Sequence, residues 1–186
     1  MRIVRHKLGR SHFMDSGSIS RIPVAPLPSS ASRRLAAVGR DPINLHRALA
    51  HAPALLAPLL DLIHALRFDA QVSRSLRELM ICRIAQLEGS EYELAHHLPM
   101  AASSGLDSEQ VRSIVGWREA SCFSAPQRAV LGYAEHIGAG APRDDEALDA
   151  CFSPVEQTEL TVTGATYLAI ARMLRALDVR IDDLLA

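Results

Sequence analysis

Residues 71–104 read QVSRSLRELMICRIAQLEGSEYELAHHLPMAASS, and this stretch indicates the fold class because it holds two helical patterns. Apolar residues recur at helical spacing from Gln71 to Leu87, and Gly89 is typical of a residue that ends a helix. Ser90 is a suitable N-cap for a second helix over Glu91–Ser104. Because the break between the two patterns is short, the sequence predicts two helices that are antiparallel neighbours.

Helical spacing continues on both sides of this pair, and strand-like alternation is essentially missing. Ala, Leu and Arg are abundant and favour helices, while aromatic residues make up only 4% of the chain. The sequence therefore predicts an all-α bundle of about seven to eight helices. The further predicted helices are a short one around Leu45–Ala50, then Pro53–Arg67, Asp107–Trp117, Ala125–Ile137, Asp144–Cys151 and Pro154–Leu177.

Residues 1–42 differ from the rest of the chain. Met1–Arg10 is basic, and Ser16–Ser32 is rich in serine and proline, which disfavours a helix. We interpret 1–42 as a partly flexible N-terminal arm and 43–186 as the helical domain. A transit peptide, or a true start at Met14, are alternative interpretations of the same residues.

The composition excludes several classes of protein. The chain has 186 residues, a formal net charge of −1 and 48% hydrophobic residues, which argues against a mainly disordered chain or a dedicated nucleic-acid binder. No apolar run is long enough to span a membrane. Three widely spaced cysteines favour a reducing compartment, so we expect a cytoplasmic protein without nucleic-acid or membrane partners. Zinc signatures are absent, and we predict neither a metal nor a cofactor.

Acidic residues and histidines cluster at the start of the second helix. Glu93 and His97 are four residues apart and therefore share one face of it. A carboxylate beside an imidazole fixes the tautomer and leaves one ring nitrogen for proton transfer near neutral pH. Glu78 lies on the preceding helix, where it shares a face with Cys82 and could reach the pair. The spacing predicts an acid–base site made of Glu78, Glu93 and His97.

A purely structural interpretation fits the same residues. Glu93 could serve only as the capping-box partner at the start of its helix. His97 could be a buried histidine with satisfied hydrogen bonds, and Glu78 could pair with Arg74 or Arg77 on the surface. Spacing alone leaves both interpretations open.

Other groups near this segment are weaker candidates. His96 projects about 100° away from His97 around the helix and could face solvent or another subunit. Carboxylates and imidazoles could hold a divalent metal with help from His64 or His136, but no ligand-spacing motif supports that. The secondary site candidates are Cys82, Tyr92, His96, Arg77 and Arg83.

Several segments together resemble a known family. They are Leu76–Leu79, Gly89–His97, Phe123–Leu131 and Glu156–Leu160. They are similar to the carboxymuconolactone decarboxylase and AhpD-like (alkylhydroperoxidase-like) superfamily, and the resemblance covers roughly residues 43–178. It implies an AhpD-like helical bundle that self-associates as a dimer, trimer or hexamer.

The resemblance also bears on redox chemistry. AhpD-type members are similar at Glu78 and His97 but carry a CxxC pair, whose positions here are Ser90 and Glu93. A dithiol peroxidase needs one thiolate to attack the peroxide and a second thiol to resolve the sulfenic acid. Ser90 and Glu93 can do neither, so this activity is not expected. Cys82 is the residue that a single-cysteine peroxide-handling alternative would use, although buried structural cysteines are common.

The branch without the CxxC pair is the better match. Its decarboxylase members protonate a lactone carbanion or enolate that forms as CO₂ leaves. The resemblance implies His97 as general acid–base, oriented by Glu93 and Glu78, with Arg77, Arg83 or the N-terminus of the second helix holding an anion. We expect a lyase-type enzyme that decarboxylates or isomerises a small acidic or lactone substrate. The alternatives are the single-cysteine protein or a non-catalytic, oligomeric ligand-binding protein.

Overall fold

The computed structural model describes residues 19–183, and these residues form nine helices and no strand. The all-α prediction is confirmed, and eight of the nine helices lie where the sequence predicted them. The helices are α1 (Ser29–Ala37), α2 (Asn44–Leu49), α3 (Pro53–Phe68), α4 (Arg74–Glu88), α5 (Glu91–Ser103), α6 (Ser108–Ser113), α7 (Ala125–Ala139), α8 (Asp145–Cys151) and α9 (Pro154–Leu177).

Helix α4 lies at the centre of the bundle and packs against α5, α7 and α9. The helix begins after Ser73, whose hydroxyl accepts a hydrogen bond from the Leu76 amide, and ends at Gly89, where φ is +62°. A helix surrounded by other helices must be apolar on most of its circumference. Its fully or almost fully buried apolar side chains are Leu79, Met80, Ile81, Cys82, Ile84 and Ala85.

Helices α5 and α9 pack on the same side of α4. Ile81, Tyr92 and Tyr167 come from these three helices and belong to one buried cluster. On α9, a Cβ added to Gly164 would lie 2.8 Å from Cδ1 of Ile137, so the missing side chain permits close approach to α7. The buried cluster of Ile81, Tyr92 and Tyr167 brings α4 and α5 against α9.

Helix α1 was not predicted, because residues 29–37 fall in the segment assigned to the arm. The helix follows Pro28 and has no side-chain cap, so local sequence signals for it are weak. Its buried Ala31 and Leu35 belong to one cluster with Leu56 and Leu60 of α3. Packing on α3 therefore stabilises it. Residues 1–18 of the arm lie outside the described residues, and the boundary at residue 42 stays a prediction.

The segment after α9 returns along the start of the described chain. The Arg180 amide donates to the Ile19 carbonyl at 2.9 Å, and the Arg21 amide donates to the Leu177 carbonyl at 2.7 Å. Across residues 19–183, none of the helices has the length and hydropathy required to cross a bilayer.

Candidate functional site

Glu78 and His97 form a hydrogen bond between α4 and α5. His97 Nδ1 donates to Glu78 Oε2 at 2.7 Å, and both residues are at most 5% exposed. Burial opposes ionisation of Glu78. The hydrogen bond from His97 and the positive charges nearby outweigh that effect and hold the pKa of Glu78 below its ordinary value. An ionised Glu78 keeps the proton on Nδ1 and leaves Nε2 of His97 available for chemistry.

Glu93 lies one turn before His97 on α5, on the opposite side of the imidazole from Glu78. Its Oε2 lies 3.5 Å from His97 Nε2, is buried, and has no hydrogen-bond partner among the described residues. Burial raises the pKa of Glu93 to about 6; the charge of His97 lowers it and that of Glu78 raises it. The structure thus brings together the three predicted acid–base residues with His97 in the middle.

The cap of α5 uses the backbone of Glu93 and not its carboxylate. The Ser90 hydroxyl accepts a hydrogen bond from the Glu93 amide at 3.4 Å. The carboxylate is directed towards His97 instead of returning to the Ser90 amide, which receives no bond from it. The interpretation of Glu93 as a mere capping-box partner is therefore wrong.

Glu93 and His97 line a cavity of about 300 Å³. We call it the apolar cavity, because side chains from α1, α3, α5 and α9 make most of its wall apolar. Tyr167 of α9 also lines it and meets His97 edge-on, with 5.0 Å between ring centroids. The apolar wall includes Leu35, Leu60, Ile63, Phe68, Met100 and Ile170.

His46 of α2 also lines the apolar cavity, and sequence reasoning did not identify it. Its Nδ1 accepts a hydrogen bond from the Ile43 amide at 3.2 Å. Burial lowers the pKa of His46 to about 4, so the ring is neutral at physiological pH. A lone histidine in a short helix carries no sequence signal that would have assigned it to the site.

Tyr92 and His96, two secondary candidates, line the same cavity but hold the C-terminal segment. The Tyr92 hydroxyl donates to Asp182 Oδ2 at 2.8 Å and accepts from the Leu45 amide at 3.2 Å. The His96 ring stacks on Tyr92, and its Nε2 lies 3.2 Å from Asp182 Oδ2. These contacts occupy the Tyr92 hydroxyl and direct His96 towards Asp182.

Cys82 lies inside the bundle and does not line the apolar cavity. The residue has no exposed surface and belongs to a cluster with Leu79, Ala101 and Leu131. Burial raises the pKa of its thiol, and the carboxylates of Glu78 and Glu93 raise it further. A thiol in these surroundings stays protonated and out of contact with solvent, which disfavours nucleophilic attack.

The two arginines proposed as anion holders have different environments. Arg83 donates to Glu135 Oε1 at 2.5 Å and to Gln86 at 3.1 Å, on the side of α4 that faces α7. This pairing with a carboxylate on α7 disfavours a role for Arg83 in holding an anion at the acid–base site. Arg77 and Glu78 both line a second cavity. Arg40, Arg67 and Arg74 line the same cavity.

The two histidines considered as additional metal ligands lie in different parts of the fold. His64 lines the apolar cavity, whereas His136 lies on α7 and contacts the Ala141 carbonyl at 2.7 Å. Within residues 19–183, no group of three or more histidine, cysteine, aspartate or glutamate residues is arranged to hold a metal ion.

Comparison with solved structures identifies proteins of the same fold. An AhpD-core, peroxidase-related protein from Ralstonia eutropha JMP134 has a TM-score of 0.74 and 23% identity, covering 90% of this chain and 95% of its own. A putative antioxidant defence protein AhpD from Agrobacterium tumefaciens has a TM-score of 0.66 and 21% identity, covering 72% and 94%. The debrominase Bmp8 has a TM-score of 0.71 and 16% identity, covering 91% and 94%. At such identities the likeness shows the fold alone.

Comparison of sequences adds the family. No curated protein sequence matches the chain. Residues 53–136 match the model of the carboxymuconolactone decarboxylase family, and this segment contains Glu78, Glu93 and His97. This match supports an activity on a small molecule or a peroxide in general terms. The match over residues 53–136 and the shared helical architecture support the assignment of the chain to the carboxymuconolactone decarboxylase and AhpD-like superfamily.

Proposed function

We propose that the protein is a small-molecule enzyme that moves a proton to or from carbon, in the decarboxylation or isomerisation of a small acidic or lactone substrate. The observation that carries the proposal is the Glu78–His97–Glu93 arrangement at the wall of the apolar cavity. His97 and Glu93 are the groups that meet the substrate. Glu78 acts through His97 and is a positioning residue.

The arrangement suits proton transfer near neutral pH. With Glu78 ionised, Nδ1 of His97 keeps its proton, so Nε2 and the Glu93 carboxyl are the groups that exchange one. A pKa of about 6 places Glu93 close to the operating pH, where a general acid–base is most effective. The two groups can hand a proton to each other between turnovers because 3.5 Å separates Nε2 from Oε2.

A decarboxylation at this site has a simple balance. The bond between the substrate carbon and its carboxylate breaks, CO₂ leaves, and the electron pair stays on the carbon as an enolate or carbanion. A proton from Glu93 or His97 then forms the new C–H bond. Isomerisation uses the same groups in two steps, since the site removes a proton from one carbon and returns it to another.

The cavity supports this chemistry by its size and polarity. About 300 Å³ is at the lower end of the volumes that enclose small ligands. Apolar walls exclude water, which strengthens electrostatic interactions with a developing charge. His46 is neutral in this wall and therefore adds no positive charge that would lower the pKa of Glu93 at physiological pH.

Exchange of substrate protons for deuterium tests the proposal across a panel of candidate compounds. Small lactones and unsaturated carboxylic acids are incubated with the protein in D₂O, and loss of C–H signals or appearance of product is followed by proton NMR. We expect His97→Asn and Glu93→Gln to slow exchange by about 10²- to 10⁴-fold. His136→Asn is the control, because His136 lies outside the apolar cavity.

Three outcomes would count against the proposal. Exchange that proceeds at equal rates in wild type, His97→Asn and Glu93→Gln would remove these residues from the chemistry. A chain that binds compounds of this panel but exchanges none would favour the non-catalytic, ligand-binding alternative. Peroxide consumption that is lost in Cys82→Ser would favour the single-cysteine alternative, against which the burial of Cys82 argues.

Self-association and a cytoplasmic location remain predictions. Helix α3 exposes large apolar side chains, with Leu55 72% and Phe68 56% exposed, and such side chains suit contacts between subunits. The mass in solution, measured by light scattering after size-exclusion chromatography, distinguishes a monomer from a dimer, trimer or hexamer.

A further inference from the structure

A second cavity of about 230 Å³ lies beside the apolar cavity and differs from it in charge. Four arginines and a single carboxylate line this arginine cavity, and its other lining residues carry no charge at neutral pH. The two cavities share Arg40, Arg67, Phe68 and Tyr167 as wall residues. The residues that define the arginine cavity are Arg40, Arg67, Arg74, Arg77, Glu78 and Tyr167.

The carboxylates near this cavity already accept hydrogen bonds or form ion pairs with other groups. Glu78 Oε2 accepts from His97 at 2.7 Å, and Glu78 Oε1 lies 3.5 Å from Nε of Arg74. Glu159 on α9 is a further negative charge close to Arg77, but its two oxygens accept from backbone amides before α4 at 3.0 and 2.9 Å. These two carboxylates do not neutralise the remaining three arginines.

Arg77 is the residue in the least favourable environment. It is only 8% exposed, its Nε is buried without a hydrogen-bond partner, and its side chain makes no ion pair with any residue in 19–183. Arg40 likewise makes no side-chain hydrogen bond or ion pair with a described residue. Arg67 donates only to the sulfur of Met100, at 3.2 Å, and a thioether is a weak acceptor.

Burying a guanidinium group without a partner is costly, since it loses hydration and gains nothing in exchange. The directions of the pKa shifts of two of these arginines agree with this cost. Burial lowers the pKa of Arg77, while burial together with the positive charges of Arg67 and Arg74 lowers the pKa of Arg40. An oxyanion between these side chains would remove both costs, because guanidinium groups bind carboxylates and phosphates through paired N–H donors.

We propose that the arginine cavity is a binding site for a compact oxyanion, a carboxylate or phosphate group, held by Arg77 with Arg40 and Arg67. Nε of Arg77 supplies the donor from inside the protein. Arg40, which is exposed, and the half-buried Arg67 close over the anion from the solvent side. Arg74 is occupied with Glu78 and contributes charge only.

The binding site does not depend on the acid–base chemistry, since it needs only the guanidinium groups. One consequence does rest on the proposed function. Because Arg40 and Arg67 line both cavities, an anionic group in the arginine cavity can belong to a molecule whose remainder lies in the apolar cavity beside Glu93 and His97. The substrate would then be an anion whose charged group is held apart from the reacting carbon.

Binding of acetate and of phosphate to the full chain tests the proposal with no turnover involved. Each anion is titrated at constant ionic strength, and Nε–H signals of arginine are followed by ¹H–¹⁵N NMR, with Arg77 identified from its loss in Arg77→Gln. We expect the Arg77 signal to move in a saturable way. Calorimetry should show affinity at least about tenfold weaker in Arg77→Gln and about three- to tenfold weaker in Arg40→Gln and Arg67→Gln.

Arg112→Gln is the matched control, because Arg112 is an exposed arginine on α6 that lines neither cavity. Saturation by acetate, by phosphate or by both supports the proposal and identifies the preferred anion. An unmoved Arg77 signal with both anions would overturn it. So would equal affinities in the Arg40, Arg67 and Arg112 variants, which stay informative if Arg77→Gln does not fold.

Discussion

The unfolding free energy of the variant Glu93→Gln, relative to that of the wild type, should increase as the pH rises. In the folded state burial raises the pKa of Glu93 from its ordinary 4.5 to about 6. At pH values between 4.5 and about 6, the unfolded chain has lost the carboxyl proton of Glu93, whereas the folded chain retains it. The unfolding free energy of the wild type therefore falls by about 2 kcal/mol from this group as the pH increases through that window.

The measurement is urea unfolding of wild type and Glu93→Gln at intervals from about pH 4 to about pH 7.5. The difference in unfolding free energy, variant minus wild type, should increase by about 2 kcal/mol across this range and then level off above about pH 6.5. Subtraction cancels most groups that titrate in both proteins. Glu91→Gln is the control, since Glu91 is an exposed glutamate in the first turn of the same helix.

A difference that stays constant with pH would refute the reasoning. It would mean that Glu93 ionises as readily in the folded chain as in the unfolded one. The carboxylate would then be in contact with water or with a hydrogen-bond partner. The acid–base proposal would then lose the carboxyl group whose raised pKa of about 6 suits proton exchange. A parallel NMR titration of His97 in the same two proteins reports whether the Glu93 carboxylate is coupled to that imidazole.

Three further predictions concern other parts of the molecule. A thiol reagent should modify the half-buried Cys122 and Cys151 in the native protein but should reach Cys82 only after unfolding in urea, with the number of modified thiols counted by mass spectrometry. Asp182→Ala should lower the unfolding free energy by about 2–4 kcal/mol in a denaturant titration, because its carboxylate accepts two hydrogen bonds that anchor the C-terminal segment. Leu79→Ala should cost about 2–5 kcal/mol in the same assay, whereas Leu55→Ala, at an exposed position, should change stability by no more than about 0.5 kcal/mol.

The helices were predictable where the sequence carries its own start and stop signals. Ser73 and Gly89 delimit α4, and Ser153 followed by a proline marks the start of α9. Helix α1 has none of these signals, since a proline stands at its N-cap position and only contacts with α3 bury its apolar side chains. The prolines at positions 23, 26 and 28 and the serines around them led to the assignment of this segment to the arm.

The acid–base residues were predictable because their proximity follows from local geometry. Glu93 and His97 are one turn apart on α5, and a two-residue break forces α4 back along α5, which brings Glu78 within reach. The arginines show the limit of this reasoning. Arg77 and Arg83 both lie close in sequence to Glu78, but Arg83 lies on the face towards α7, where Glu135 binds it.

Residues contributed by distant parts of the chain could not be predicted. Arg40, His46 and Arg67 come from the α1–α2 connection, α2 and α3, and no motif links those segments to α5. The same segments decide how the acid–base pair behaves. They form much of the wall that keeps water from Glu93, so the raised pKa is a property of the folded bundle.

The position of the Glu78–His97 hydrogen bond explains how one imidazole can serve two environments. Glu78 lies at the wall of the arginine cavity, and His97 at the wall of the apolar cavity. The positive charges of Arg67 and Arg74 help to keep Glu78 ionised, and the ionised carboxylate fixes the proton on Nδ1 of His97. Charge in one cavity therefore sets the protonation pattern in the other. In this arrangement the arginine cavity helps to maintain the tautomer that acid–base chemistry beside Glu93 requires.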